Sequence, residues 1–260
     1  MPKPYPIPEG ITPLAETETR QLLCDIIADA KSLAERGILV FDLDSTLLDN
    51  RPRQALIVRE YGETHGVPEL AANQADHWEG WDLRIAMRNA GLNEEAIEQH
   101  FAPCREFWRE RFFTSEYCVH DIPIPGAPEY VRAGVTAGAK VFYVTGRWEA
   151  MRPGTLESFA EPEFPLPDGD RVRLVMKPTL DEHDDVFKDR TYHALREAGA
   201  VVAAFDNEPT HINGYREAFP NARSVHLATD HSLRGIKVRN DIASIRDFAP
   251  WSKSCSKVPG

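Results

Sequence analysis

Two aspartates one residue apart follow an apolar run of strand length in Ile38-Leu39-Val40-Phe41-Asp42-Leu43-Asp44-Ser45-Thr46. A buried strand usually hands over to Gly, Asn or Ser, which turn the chain at little cost. Two carboxylates there repel each other and lose solvent, so something has to compensate them. A divalent cation would do so, and a hard ion such as Mg²⁺ prefers oxygen ligands. The plainer alternative is a helix N-cap supplied by Asp44 or Ser45. Side chains at i and i+2 share a side of a strand. One carboxylate could attack phosphorus while the other moves a proton, as phosphoryl transfer through a covalent intermediate requires.

Two further apolar runs end in polar chemistry. Val141-Phe142-Tyr143-Val144 stops at Thr145-Gly146-Arg147, and Val201-Val202-Ala203-Ala204-Phe205 stops at Asp206-Asn207-Glu208. Thr145 offers a hydroxyl and Gly146 a close backbone N–H to phosphate oxygens, although Thr-Gly is also a common turn. Arg147 could meet substrate or form a surface ion pair. Lys177 and Lys188 lie between these runs. Lys188 falls early in a predicted helix, where a cation is unfavourable and calls for a compensating partner.

This ordered set resembles the haloacid dehalogenase-like hydrolase superfamily of phosphatase type, over roughly residues 38–213 with a gap for a cap. The specific part is the DxDxT element of Asp42, Asp44 and Thr46. The resemblance implies a Mg²⁺-dependent phosphomonoester hydrolase acting on a small phosphorylated metabolite. Asp42 would be the nucleophile that forms an aspartyl-phosphate, Asp44 the general acid/base, and Thr46 a brace for the turn. Thr145, Gly146 and Lys188 would bind phosphate; Lys188 is preferred to Lys177 because the superfamily's lysine usually stands at that helix start. Asp42, Asp206 and the main-chain carbonyl of Asp44 would hold Mg²⁺. The commoner pattern has a second aspartate beside Asp206 or four residues on, where this chain has Asn207 and Thr210. Asn207 and Glu208 are therefore candidates for the outer metal shell. The second aspartate, Asp44, points to phosphorus chemistry, since carbon–halogen hydrolysis in the superfamily lacks it. A phosphotransferase or phosphomutase of the same fold, and a phosphate-ligand binding protein without turnover, are the alternatives.

The elements that must position these residues alternate strand and helix, which predicts an α/β, doubly wound parallel sheet with a Rossmann-like core. Residues 1–49 and 120–260 form that core, with 1–14 extended and 251–260 a loose tail. Thr17 to Arg36 reads as an amphipathic helix stopped by Gly37, and strands are expected at 38–42, 140–144, 172–176, 201–205 and 224–227. Asp184 or Asp185 would cap the helix that carries Lys188. Residues 50–119 read as all-helical. Trp78, Trp81, Ile85 and Met87 suggest one helix there, and Asn93 caps another. A crossover needs about a dozen residues, so this insertion reads as a small helical cap, of C1 type by the resemblance. Its Trp78, Trp81 and Trp108 read first as cap core and its Arg84, Arg88, Arg105, Arg109 and Arg111 as a solvated face; some of them could read a leaving group, and the sequence singles out none.

The chain has 260 residues and a net charge of −11. That balance argues against broad binding of nucleic acid or an anionic membrane, which needs a basic face. No run of apolar residues is long enough to span a bilayer, and the start lacks the apolar core of a signal peptide. Cys24, Cys104, Cys118 and Cys255 form no CxxC pair. Buried or idle thiols and a cytoplasmic setting are the expectation.

Overall fold

The computed structural model describes residues 2–232 and 234–252. The chain runs through α1 (Glu16–Leu33), β1 (Gly37–Phe41), β2 (Leu48–Asp49), α2 (Arg51–His65), α3 (Pro68–Ala71), α4 (Leu83–Asn89) and α5 (Glu94–Phe112). It continues through β3 (Ile122–Pro123), α6 (Ala127–Thr136), β4 (Lys140–Trp148), α7 (Arg152–Ala160), β5 (Val172–Lys177) and α8 (Asp184–Ala198). The last elements are β6 (Ala200–Asp206), α9 (Pro209–Ala218), β7 (Arg223–Leu227), β8 (Ala243–Ile245) and α10 (Ala249–Ser252).

Six strands form one sheet in the order β5-β4-β1-β6-β7-β8, each neighbour pair parallel. The small β2–β3 pair is antiparallel. Strand periodicity sorts the apolar residues into two layers. Leu39, Phe41, Val141, Tyr143, Ala203 and Phe205 join α1 and α6 on one face. Ile38, Val40, Phe142, Val144 and Ala204 join Phe187, Leu195 and Tyr215 of α8 and α9 on the other. A parallel sheet needs both faces covered because its crossovers run over them. β1 lies between β4 and β6, so the chain delivers its three polar strand ends side by side, where open α/β sheets build their sites.

The inserted helices α2–α5 bury a cluster of their own, including Val58, Tyr61, Leu70, Trp78, Met87 and Ile97. Gly66, at φ +67°, ends α2 in the left-handed conformation that glycine adopts at least cost. Asp82 caps α4 by accepting from the N–H groups of Arg84 and Ile85, and Asn93 caps α5 through Ala96.

Several sequence expectations need correction. Trp78 and Trp81 precede α4 rather than lying in it, because the Asp82 cap starts the helix after them. His183, whose side chain accepts from the Asp185 N–H, is the N-cap of α8, with Asp184 and Asp185 in its first turn. β8, only three residues long, was too short to show a period. The expected loose tail begins in α10, where Trp251 is buried; residues 253–260 lie outside the described residues. Cys104 and Cys118 are free and buried, but Cys24 is disulfide-bonded, so it is not an idle thiol. Among the described residues no helix is long and apolar enough to cross a membrane.

Candidate active site

A cavity of about 530 Å³ opens over the ends of β1, β4 and β6 and is lined by Asp42, Asp44, Gly146, Lys188 and Asn207 among others. Its floor is a buried three-charge group. The Lys188 ammonium donates to Asp42 Oδ1 and to Asp206 Oδ2, at 2.7 Å each. Lys188 is 1% exposed, so the cost of burying it early in α8 is met by two carboxylates. Burial pushes Asp42 up to about 7; Lys188 opposes that rise and Asp206 adds to it. Burial acts in the same sense on Asp206, but Lys188 and His211 hold it well below the usual carboxylate range. Asp206 Oδ1 also accepts the Glu208 N–H at 2.9 Å.

The second aspartate is held differently. Asp44 accepts from Arg147 Nε and Nη2 at 2.9 and 2.7 Å, from Arg53 Nη2 at 2.9 Å and from Asn50 Nδ2 at 3.1 Å. Asp121 bridges the same arginines, 2.6 Å from Arg147 Nη2 and 3.0 Å from Arg53 Nε. Burial alone would raise the Asp44 pKa; the two guanidinium groups overcome it and hold the carboxyl well below its ordinary range. Arg147 thus forms a buried ion pair, not the surface pair its sequence position suggested, and it also lines the cavity. Arg53 and Asp121 were missed in the sequence, because nothing local marks an arginine inside α2 or an aspartate after α5 as facing β1.

Thr46 ties two motif loops together: its hydroxyl donates to Asn207 Oδ1 at 3.0 Å and accepts the Asn207 N–H at 3.1 Å. The Asn207 amide also donates to the Asp230 carbonyl. Glu208 accepts from the Ser232 N–H and hydroxyl and pairs with Arg234. Both candidates for the outer metal shell are therefore engaged by protein groups. Thr145 is fully buried behind the cavity, and its hydroxyl accepts the Arg147 N–H at 3.2 Å. Gly146 lines the cavity, where a Cβ would meet Asp184 Oδ2 at 2.6 Å. Lys177 points away into the β5–α8 loop, donating to the carbonyls of Leu180 and Glu182 and to Asp184. His211, 3.6 Å from Asp206 Oδ1 and 2.9 Å from Asp185 Oδ1, is a further cavity residue that the sequence did not flag.

The donor set suits a hard cation of modest protein coordination. Asp42 and Asp206 converge on one point, but among the described residues no group of three or more His, Cys, Asp or Glu side chains could hold a metal. Mg²⁺ commonly keeps several waters and takes only one or two carboxylates from the protein, so the residues present fit it.

Sheet order and the helical insertion after β1 give the chain the fold seen in solved haloacid dehalogenase-like hydrolases. The chain is similar to a haloacid dehalogenase-like family hydrolase from Streptococcus pneumoniae, at 12% identity over 84% of this chain and 97% of that one, with a TM-score of 0.50. It is also similar to protein tyrosine kinase A of Mycobacterium tuberculosis, at 16% identity over 85% and 98% of the two chains, with a TM-score of 0.53. A class C acid phosphatase from Bacillus anthracis aligns at 14% identity and a TM-score of 0.43, over 75% of this chain and 61% of its own, so this chain spans less than two thirds of that protein. No family model and no curated protein matches the chain. The two likenesses with TM-scores of 0.50 and 0.53 carry the fold alone, and the chemistry rests on this chain's own residues.

Proposed function

We propose that the protein is a Mg²⁺-dependent phosphomonoester hydrolase of a small phosphorylated metabolite, with residues 50–119 as a cap over a core of residues 1–49 and 120–260. The observation that carries this reading is the shared Lys188 ammonium between Asp42 and Asp206 at the cavity floor. It gives a nucleophile at the end of β1, a cation for the phosphoryl oxygens and a second carboxylate.

Asp42 Oδ attacks phosphorus and the ester P–O bond breaks while the leaving oxygen takes a proton from protonated Asp44, giving an aspartyl-phosphate, a free alcohol and the Asp44 carboxylate. Water then attacks phosphorus, the P–O bond to Asp42 breaks, and Asp44 takes the water's proton. Lys188 and the Gly146 N–H orient the phosphoryl oxygens. Asp42, Asp206 and the Asp44 carbonyl would hold Mg²⁺, which when bound neutralises phosphate charge. The arginines keep Asp44 ionised but weaken it as a base as well as denying it a proton to give, so both proton transfers require that this grip loosen.

That grip favours one rival, a phosphate-ligand binding protein that does not turn over. The test is inorganic phosphate release from a panel of alkyl, sugar and aryl phosphates, with Mg²⁺ and with EDTA. Metal-dependent release that is lost in Asp42→Asn supports the hydrolase. Ligand-induced thermal stabilisation without release supports the binding protein. A cytoplasmic setting belongs to this reading, and the disulfide at Cys24 is the observation against it.

A further inference from the structure

The cavity has an apolar wall that the phosphoryl chemistry does not use. Trp81, Phe112, Phe113 and Met151 line the same cavity as Asp42 and Lys188. Phe112 is fixed: Arg53 lies over its ring at 4.0 Å and Trp108 stacks on it at 4.5 Å, which occupies both faces. Phe113 meets Phe112 at 87° and Trp81 meets it at 80°. The chain also holds Trp81 in an unfavourable backbone state. Its φ is +58° and that of Gly80 is +66°, the left-handed region that costs a bulky residue most. Two bonds keep it there: the N–H groups of Gly80 and Trp81 both donate to the carboxylate of Asp230, a core residue whose carbonyl accepts from Asn207. A left-handed position is filled at less cost by Gly or Asn. A half-buried tryptophan clamped there, with its ring in the cavity, implies a use for the ring. On the remaining rim the acidic groups Glu182 and Glu208 are met by Arg190 and Arg234. Both arginines that line the cavity among the described residues are already paired, Arg234 with Glu208 and Asp185 and Arg147 with Asp44 and Asp121, which leaves an anionic leaving group no arginine of its own.

We infer that the group attached to phosphate in the substrate is an uncharged planar aromatic ring, seated against Trp81 and Phe113, so that the substrate class is an aromatic phosphomonoester rather than a sugar or polyanionic phosphate. This rests on the phosphomonoester reading above. Ring-on-ring contact supplies apolar burial and the geometric preference of aromatic pairs. Asp230 acts as a positioning residue by orienting Trp81 from the core.

Binding and turnover separate the two readings. Calorimetry with phenylphosphonate, cyclohexylphosphonate and methylphosphonate, in Mg²⁺, should give phenylphosphonate an affinity at least about tenfold above both others. Trp81→Gly, which relieves the backbone strain while removing the ring, should cut that preference to within about threefold, and Trp81→Phe should retain most of it. Equal affinities in the wild type, or a preference unchanged in Trp81→Gly, overturn the inference. The wild-type comparison needs no variant, so it decides even if Trp81→Gly folds poorly. Phosphate release from glycerol phosphate and phenyl phosphate is read in parallel. Asp42-dependent release without aryl preference defeats the inference and leaves the hydrolase standing. Selective phenylphosphonate binding without release from either ester upholds the ring pocket and defeats the hydrolase.

Discussion

Replacing Lys188 by methionine tests the charge balance on which the site depends. Methionine keeps most of the side chain's length but removes the ammonium that Asp42 and Asp206 share at 2.7 Å each. The remaining carboxylates then face each other with little solvent, Asp206 fully buried and Asp42 only 8% exposed. Breaking a buried pair by removing one partner costs about 3–5 kcal/mol. The carboxylates have one escape, which is to keep a proton between them. In the wild type that proton leaves Asp42 as the pH passes about 7. Without the lysine it stays bound at higher pH, while both groups are ionised in the unfolded chain. A carboxyl with a raised folded pKa stabilises below its unfolded value, and that stability is lost as pH rises toward the folded value. In the variant the loss continues past 7, so the penalty should grow by about 1.4 kcal/mol per pH unit above neutrality. Urea unfolding of both proteins in EDTA, from pH 6 to 9, measures this. A difference below about 1 kcal/mol, or one flat with pH above 7, would refute the argument.

Asp206→Asn should raise the Mg²⁺ concentration for half-maximal turnover by at least the about 10–100-fold typical of changes beside a metal; an unchanged metal titration removes it as a ligand. His226 is fully buried between Ser244 Oγ and the Asn207 carbonyl, at 3.0 Å each, and burial pushes its pKa down to about 4. Its contribution to stability is therefore complete above the unfolded value and is lost as pH falls toward the folded one. The wild type should lose about 3 kcal/mol more than His226→Gln between neutral pH and pH 4, read from urea midpoints. Gly62→Ala places a Cβ 2.2 Å from the Ala71 backbone nitrogen, where α2 and α3 touch. It should destabilise the inserted helices by about 1–3 kcal/mol or more, seen as loss of hydrogen-exchange protection there before the sheet.

The three strand ends were legible because the signals are local. An apolar run long enough for a strand, ended by a carboxylate or hydroxyl, conflicts with burial unless chemistry requires it. The same reasoning marked Lys188, a cation early in a helix that needed compensation, and Asn93, a cap with a fixed offset. It failed where a role depends on distant packing. Trp78 and Trp81 fit a helical period yet lie outside the helix, because one cap at Asp82 outweighs a weak pattern.

The amino-acid sequence by itself determined the alternating layers, the inserted helices and the identity of the carboxylates at the ends of β1 and β6. Tertiary structure alone decided which charges meet: Arg147 reaches Asp44 across 103 residues, Lys188 reaches Asp42 across 146, and Asp230 holds Gly80 across 150. The reason is physical. Burial pattern is written in the spacing of neighbours, whereas the partner of a buried charge is whatever the packed sheet and cap bring within hydrogen-bond distance.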